Sequence, residues 1–297
     1  IGTGGTSKTV RNVFEEKMVN KIYVASLKEN SEYVSYSDIY NLDVDIIVNT
    51  TPVGMFPNMD DELIDLKKFK KVNWVIDFIY NPLRTNLLID AQKLNINFLN
   101  GLDILIYQAL FAFDIASSEK IEFETLFLKI KKEILKKNNI VLIGMPFSGK
   151  TTIGKWLKNY FTSKEFYDVD EIIEKKYGSI SKIFSDKGEE EFRKLEEEVT
   201  LELSTKQNAI IATGGGTILS EKNVRRLKHL GVQIFLDRDV DSLCVSDGRP
   251  LARSKSDLES LYQKRYDKYL KTCDLIIKEN NLDKCYQECV KIITNIK

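Results

Sequence analysis

Residues 140–152 read Ile-Val-Leu-Ile-Gly-Met-Pro-Phe-Ser-Gly-Lys-Thr-Thr. An apolar run stops at a glycine, and Gly149-Lys150-Thr151 follows at the spacing of a phosphate-binding loop. No other feature limits the fold as strongly, because the pattern works only between a buried parallel strand and the start of a helix. Ile140 to Ile143 supplies the strand. Gly144 and Gly149 let the backbone turn its N–H groups inward around phosphate oxygens. The expected nucleotide contacts are Phe147, Ser148, Gly149, Lys150, Thr151 and Thr152. Lys150 reaches the β- and γ-phosphates, and the Thr151 hydroxyl suits a magnesium ion. A helix starting at Thr151 aims its positive end at the same anion.

The bulk numbers narrow the class further. At 297 residues there is room for about two domains. Lysine plus arginine and aspartate plus glutamate both total 44, so neither a nucleic acid nor an anionic membrane is an expected partner. No apolar run is long enough to cross a bilayer and no signal peptide opens the chain, so a cytoplasmic protein is expected. The lone histidine, His229, sits where a basic side chain suits a helix C-terminus. Any general base is therefore expected to be a carboxylate. The cysteines at 244, 273, 285 and 289 form no CxxC pair and read as reduced thiols.

Strand and helix alternate along both halves, which divide at the polar Asn138-Asn139. Residues 1–137 carry expected strands at Ile22–Ser26, Asp45–Asn49, Trp74–Phe78 and Ile96–Leu99. Residues 138–297 carry them at Ile140–Ile143, Phe166–Asp168, Ala209–Ala212, Val232–Leu236 and Leu275–Lys278. The fold class is α/β with two domains, both built on largely parallel sheets.

Chemistry-bearing residues cluster after the strands of the second half. Asp168 and Asp170 read as the end of a strand, where alternation points both carboxylates to one side; a helix N-cap is the competing reading. Arg193 follows the apolar Phe192 and suits either a bidentate grip on a substrate carboxylate or an ion pair with a neighbouring glutamate. Gly214, Gly215 and Gly216 allow a backbone to approach a ligand closely, with a plain loop as the alternative. Arg249, in Asp-Gly-Arg-Pro-Leu, sits in a stretch suited to a lid and to stabilising charge on a transferring phosphoryl group, and Arg265 on the next helix completes an anion grip.

Taken in order, the phosphate loop, Phe-Tyr-Asp-Val-Asp, Gly-Glu-x-x-Phe-Arg, the triple glycine, Arg-Pro-Leu and Arg265 resemble shikimate kinase over residues 139–297. The resemblance implies a P-loop kinase domain with a parallel five-stranded sheet of the nucleoside-monophosphate-kinase type. It implies ATP and Mg²⁺ as cofactors and shikimate as the substrate, phosphorylated on its 3-hydroxyl. Asp170 would orient and deprotonate that hydroxyl; Arg193, the glycines and Arg265 would hold the shikimate. Lys150 and Arg249 would stabilise the phosphoryl group, with Thr151 and Asp168 on the metal. The chain departs from the family at Phe147, where a small residue is usual, and in Leu243-Cys244-Val245-Ser246, which lacks the arginine that packs on adenine. Alternatives are another small-molecule or nucleoside-monophosphate kinase, or a non-catalytic nucleotide-binding scaffold.

In the first half, Gly2-Thr-Gly4-Gly5, the run Asn49–Met55, Asp77-Phe-Ile-Tyr80-Asn-Pro-Leu-x-Thr85 and Gly101–Gln108 resemble the cofactor domain of shikimate dehydrogenase. By that resemblance residues 1–137 form an incomplete Rossmann-type domain whose substrate domain would precede Ile1. Gly2, Gly4 and Gly5 would approach an NADP pyrophosphate, with Thr51 to Met55 on the nicotinamide side and Tyr80 and Gln108 toward the substrate. NADP is expected only here, in a dehydrogenase remnant that no longer works.

Overall fold

The computed structural model describes residues 1–27, 31–117, 122–244, 250–252 and 254–295. The chain forms two compact units, Ile1–Lys131 and Lys132–Lys297. The division falls inside a helix, Phe123–Leu135, a little before the polar break at Asn138.

The first unit runs α1 (Gly5–Glu16), β1 (Ile46–Asn49), β2 (Trp74–Asp77), α2 (Asn86–Lys93), β3 (Asn97–Leu99) and α3 (Leu102–Ala116), and α4 (Phe123–Leu135) leads out of it. The three strands are parallel in the order β1-β2-β3, with Ile46 opposite Trp74 and Trp74 opposite Asn97. Val75, Leu88 and Ala91 are fully buried and fasten α2 to the sheet together with Ile47. The expected strand at Ile22–Ser26 is absent as a strand; only Ala25 bridges, to Val34. The backbone lying between Ala25 and β1 is that of Ile1 and Gly2: Gly2 N donates to Ala25 O, Thr50 N to Ile1 O, and the Ile1 ammonium to Val48 O. Two residues satisfy a few bonds but do not build the ladder that β propensity alone cannot replace.

The second unit continues through β4 (Asn139–Ile143), α5 (Lys150–Tyr160), β5 (Glu165–Asp168), α6 (Val169–Tyr177), α7 (Ile180–Ser204), β6 (Ala209–Ala212), α8 (Glu221–His229), β7 (Gly231–Asp237), α9 (Lys255–Thr272), β8 (Leu275–Lys278) and α10 (Leu282–Thr294). Its five parallel strands lie in the order β5-β6-β4-β7-β8. Every residue of the central strand β4 is buried, as a doubly covered parallel strand requires. Alternation then sorts its side chains: Val141 and Ile143 face one apolar cluster with Ile211 and Phe235, while Ile140 and Leu142 face another with Ile210, Ile234 and Leu236. Each such side chain stabilises the unit by about 1.5–3 kcal/mol. The chain runs from β4 to β5 on one side and from its neighbour β7 to β8 on the other, so the C-terminal ends of β4 and β7 flank the switch point where open α/β sheets take ligands.

At the opposite end of that sheet the buried Lys164 closes the entry of the chain. Its ammonium donates to Lys136 O at 2.9 Å, Asn138 O at 2.7 Å and Asn208 Oδ1 at 3.1 Å. Burial pulls its pKa down to about 8. Among the described residues no helix is long and apolar enough to cross a membrane.

Candidate active site

The loop from Gly144 to Gly149 leaves β4 and caps α5. Gly149 adopts a left-handed φ of 90° as the N-cap. Phe147 does the same at 66°, which costs a residue with a Cβ about 1–3 kcal/mol. Its ring packs on the apolar cluster that holds Met145 and Phe192. Lys150 is 8% exposed and folds back over the loop, donating to Gly144 O at 3.0 Å and Met145 O at 2.8 Å, with Ser148 Oγ at 3.5 Å. The loop thus carries its own cation at its centre. Ser148 is fully buried beneath it, and Thr152 lies in the first turn of α5.

The Thr151 hydroxyl donates to Asp168 Oδ2 at 2.5 Å. The other oxygen of Asp168 accepts from the amides of Asp170 at 2.9 Å and Glu171 at 3.2 Å, so Asp168 is the N-cap of α6. This corrects the sequence reading of Asp170. It sits not on a strand but in the first turn of α6, because the cap starts the helix immediately after Asp168. Strand alternation therefore does not bring the two carboxylates together; the cap does. Burial pushes the Asp168 carboxyl above its ordinary value, with the Asp170 charge adding and the Thr151 bond opposing. A hydroxyl and a carboxylate side by side form a hard oxygen pair that fits Mg²⁺, which takes one or two protein groups and fills its shell with phosphate and water.

Across from Asp170, Arg193 rises from α7. Gly188, at φ 83°, breaks that helix, so the segment carrying Arg193 begins afresh there. Both ion-pair and site readings of Arg193 meet in one geometry. Its Nη2 donates to the half-exposed Glu189 at 2.8 Å and its Nη1 to Glu196 Oε2 at 2.8 Å. Glu196 is 1% exposed, and its second oxygen accepts from the Thr217 hydroxyl at 2.6 Å. Burial pushes its carboxyl up while Arg193 pulls it down. The three glycines are there because side chains stand against all of them. A Cβ on Gly214 would lie 2.6 Å from Glu196 Oε1 and 3.0 Å from Asp170 Oδ1; one on Gly215 would strike Pro146; one on Gly216 would strike the Arg193 guanidinium. Arg265, 5% exposed, donates to Gly215 O at 3.0 Å beside Tyr269, which donates to the same oxygen at 2.6 Å. Burial lowers the Arg265 pKa, and the nearby Arg193 charge adds to that.

Asp170, Arg193, Gly214, Gly215, Gly216 and Arg265 line one cavity of about 50 Å³, together with Glu196, Pro146, Phe184, Phe192 and Pro250–Ala252. Glu196 was not singled out from the sequence, where it is one acidic residue in an acidic helix. Its spacing of three from Arg193 places it on the same helix face and is the signal that marks it. Arg249 lies outside the described residues. In the first unit, Gly2 packs against Thr50 and Thr51, whereas Gly4 and Gly5 open onto space and Met55 is exposed. There Thr51 is bound to Asn49 Oδ1, and Asn49 donates to Asp77 at 3.0 Å. Asp77 also accepts from the Thr85 hydroxyl at 2.6 Å and from Ile79 N at 3.1 Å.

The family model for shikimate kinase matches residues 146–296. A shikimate kinase from Clostridium botulinum (strain Alaska E43) is 40% identical over 166 residues, which span 54% of this chain and 99% of that protein. The solved shikimate kinase from Acinetobacter baumannii, in complex with shikimate, is 31% identical and covers 56% of this chain and 99% of its own, with a TM-score of 0.52. Shikimate dehydrogenase 1 from Peptoclostridium difficile is similar to the N-terminal region at 30% identity and a TM-score of 0.41; the match takes in 44% of this chain and 53% of the dehydrogenase. With more than half its length matched in this way, the chain belongs to the shikimate kinase family.

Proposed function

We propose that this chain transfers the γ-phosphoryl group of ATP to the 3-hydroxyl of shikimate, giving shikimate 3-phosphate and ADP, and that residues 138–297 form the working domain. The observation that carries the reading is the cavity joining Asp170, Arg193 and Arg265 beside the phosphate loop. One half-buried and one buried guanidinium group suit a small carboxylate, and a carboxylate at the other wall suits a hydroxyl. Arg193 exchanges its exposed partner Glu189 for the substrate carboxylate and keeps the buried Glu196, so the guanidinium stays aimed. Asp170 accepts the proton of the attacking hydroxyl. Lys150 gives up the Gly144 and Met145 carbonyls for phosphate oxygens, which offer full charge instead of a dipole. Thr151 and Asp168 would hold Mg²⁺, which supplies neutralising charge to the phosphate chain when bound. Arg249 would add charge stabilisation from the lid. Such a site works chiefly by position and preorganised charge.

ADP release measured with ATP and shikimate, beside gluconate and nucleoside monophosphates, tests this. Turnover confined to shikimate is expected. Equal or greater turnover with another acceptor would overturn the substrate, and no turnover with any would leave a nucleotide-binding scaffold.

For residues 1–137 we propose a dehydrogenase-like unit without catalysis. Asp77, its buried carboxylate at a strand end, already receives bonds from Asn49, Thr85 and Ile79, and so is committed to structure. Gly2, Gly4, Gly5, Thr51 and Met55 would face any NADP. NADP⁺ reduction by shikimate is expected to be absent; its detection would revise this reading.

A further inference from the structure

The carbonyl of Gly215 is gripped twice from one helix. Arg265 and Tyr269 stand one turn apart on α9, so their side chains reach the same spot. Arg265 Nη1 donates to Gly215 O at 3.0 Å, and the Tyr269 hydroxyl donates to the same oxygen at 2.6 Å. A carbonyl oxygen has two lone pairs, and these two bonds use both. Gly215 is fixed on its Cα side as well, because a Cβ there would stand 2.8 Å from Pro146 Cδ in the phosphate loop. The glycine turn is therefore held between the phosphate loop and α9.

The two donors have different duties. Tyr269 is fully buried, and its ring stacks on Phe235 of β7 with centroids 4.8 Å apart and 12° between the planes. Burial pushes its phenol above the ordinary value, so the hydroxyl keeps its proton and remains a donor. Arg265 instead lines the acceptor cavity, and a bidentate grip on a carboxylate there requires it to turn donors away from Gly215 O. Held by Arg265 alone, that half-buried oxygen would lose its partner whenever the substrate bound, and an acceptor deprived of both water and donor opposes the change. We propose that Tyr269 is a positioning residue for Arg265: it keeps Gly215 O satisfied and so frees the guanidinium for the substrate carboxylate. The proposal rests on shikimate being the acceptor in this cavity.

The test is steady-state kinetics of the full-length chain, wild type and Tyr269→Phe, with MgATP affinity measured by calorimetry. Phenylalanine keeps the ring on Phe235 and deletes only the hydroxyl. The KM for shikimate is expected to rise about tenfold with kcat within about twofold of wild type, because the carboxylate is held equally in the ground and transition states. A competing ligand in which a hydroxymethyl group replaces the carboxylate of shikimate makes no demand on Arg265. Its inhibition constant and the MgATP affinity are expected to match wild type. An unchanged KM for shikimate would overturn the proposal. Equal losses for shikimate and the hydroxymethyl ligand, or a loss of MgATP affinity, would also overturn it by assigning Tyr269 to packing. A wild type that binds MgATP without turning over shikimate would instead overturn the acceptor, and this assignment with it.

Discussion

Both units place polar side chains at the C-terminal ends of parallel strands, yet they use them in opposite ways. In the first unit Asn49 and Asp77 close on each other and on Thr51, Thr85 and the Ile79 amide, and the network serves the fold. In the second, Asp170, Arg193 and Arg265 converge on a cavity, with Arg193 braced by Glu196 and Thr217 and Arg265 by Gly215 O. The difference teaches that a polar cluster signals chemistry when its braced charges still face a space. A self-satisfied cluster stabilises and specifies.

The comparison breaks most plainly at Asp170. Asp170→Asn is expected to lower shikimate phosphorylation about 10²–10⁴-fold while MgATP affinity holds; steady-state rates beside calorimetry check it, and near-normal turnover would remove Asp170 from the proton transfer. Next comes the support. Arg193→Ala strands Glu196 in the interior and is expected to cost about 3–5 kcal/mol in urea unfolding. Adding Glu196→Gln should restore most of that stability but not shikimate binding; recovery of both would show that Arg193 only balances charge.

Lys164 gives a smaller and pH-dependent effect. Its folded pKa of about 8 lies below the ordinary 10.5, so between these values the unfolded chain binds more protons than the folded one. Stability should therefore rise as pH increases from 8 toward 10.5. Lys164→Met should abolish that rise and cost about 1–3 kcal/mol at neutral pH by leaving three acceptors without their donor. Unfolding curves at pH 8 and 10 decide both points. The smallest effect is expected from Asp77→Asn, about 1 kcal/mol in the melting of the first unit, with kinase turnover unchanged. A fall in turnover would show that the two clusters are not energetically separate.

Legibility in the sequence followed the range of the interaction. Strands β4, β5, β6, β7 and β8 lie within a residue of their expected limits, because continuous apolar runs bounded by polar turns are a local signal. The strand expected at Ile22–Ser26 failed for the converse reason: its apolar pattern is intact, but a strand exists only with a partner. Asp170 was found as a residue and misplaced as an element, since the bond from Asp168 that begins α6 overrides alternation. Glu196 went unnoticed because burial, not identity, separates it from the exposed glutamates beside it.

The sequence by itself determined the phosphate loop, the parallel α/β frame and the family to which the chain belongs, since these depend on spacing along the backbone. Tertiary structure alone decided that the Phe147 ring packs on the apolar core and that Glu196 is buried beside Arg193. Those facts depend on desolvation and on contacts between elements distant in the chain, and no local pattern encodes how much water a side chain has lost.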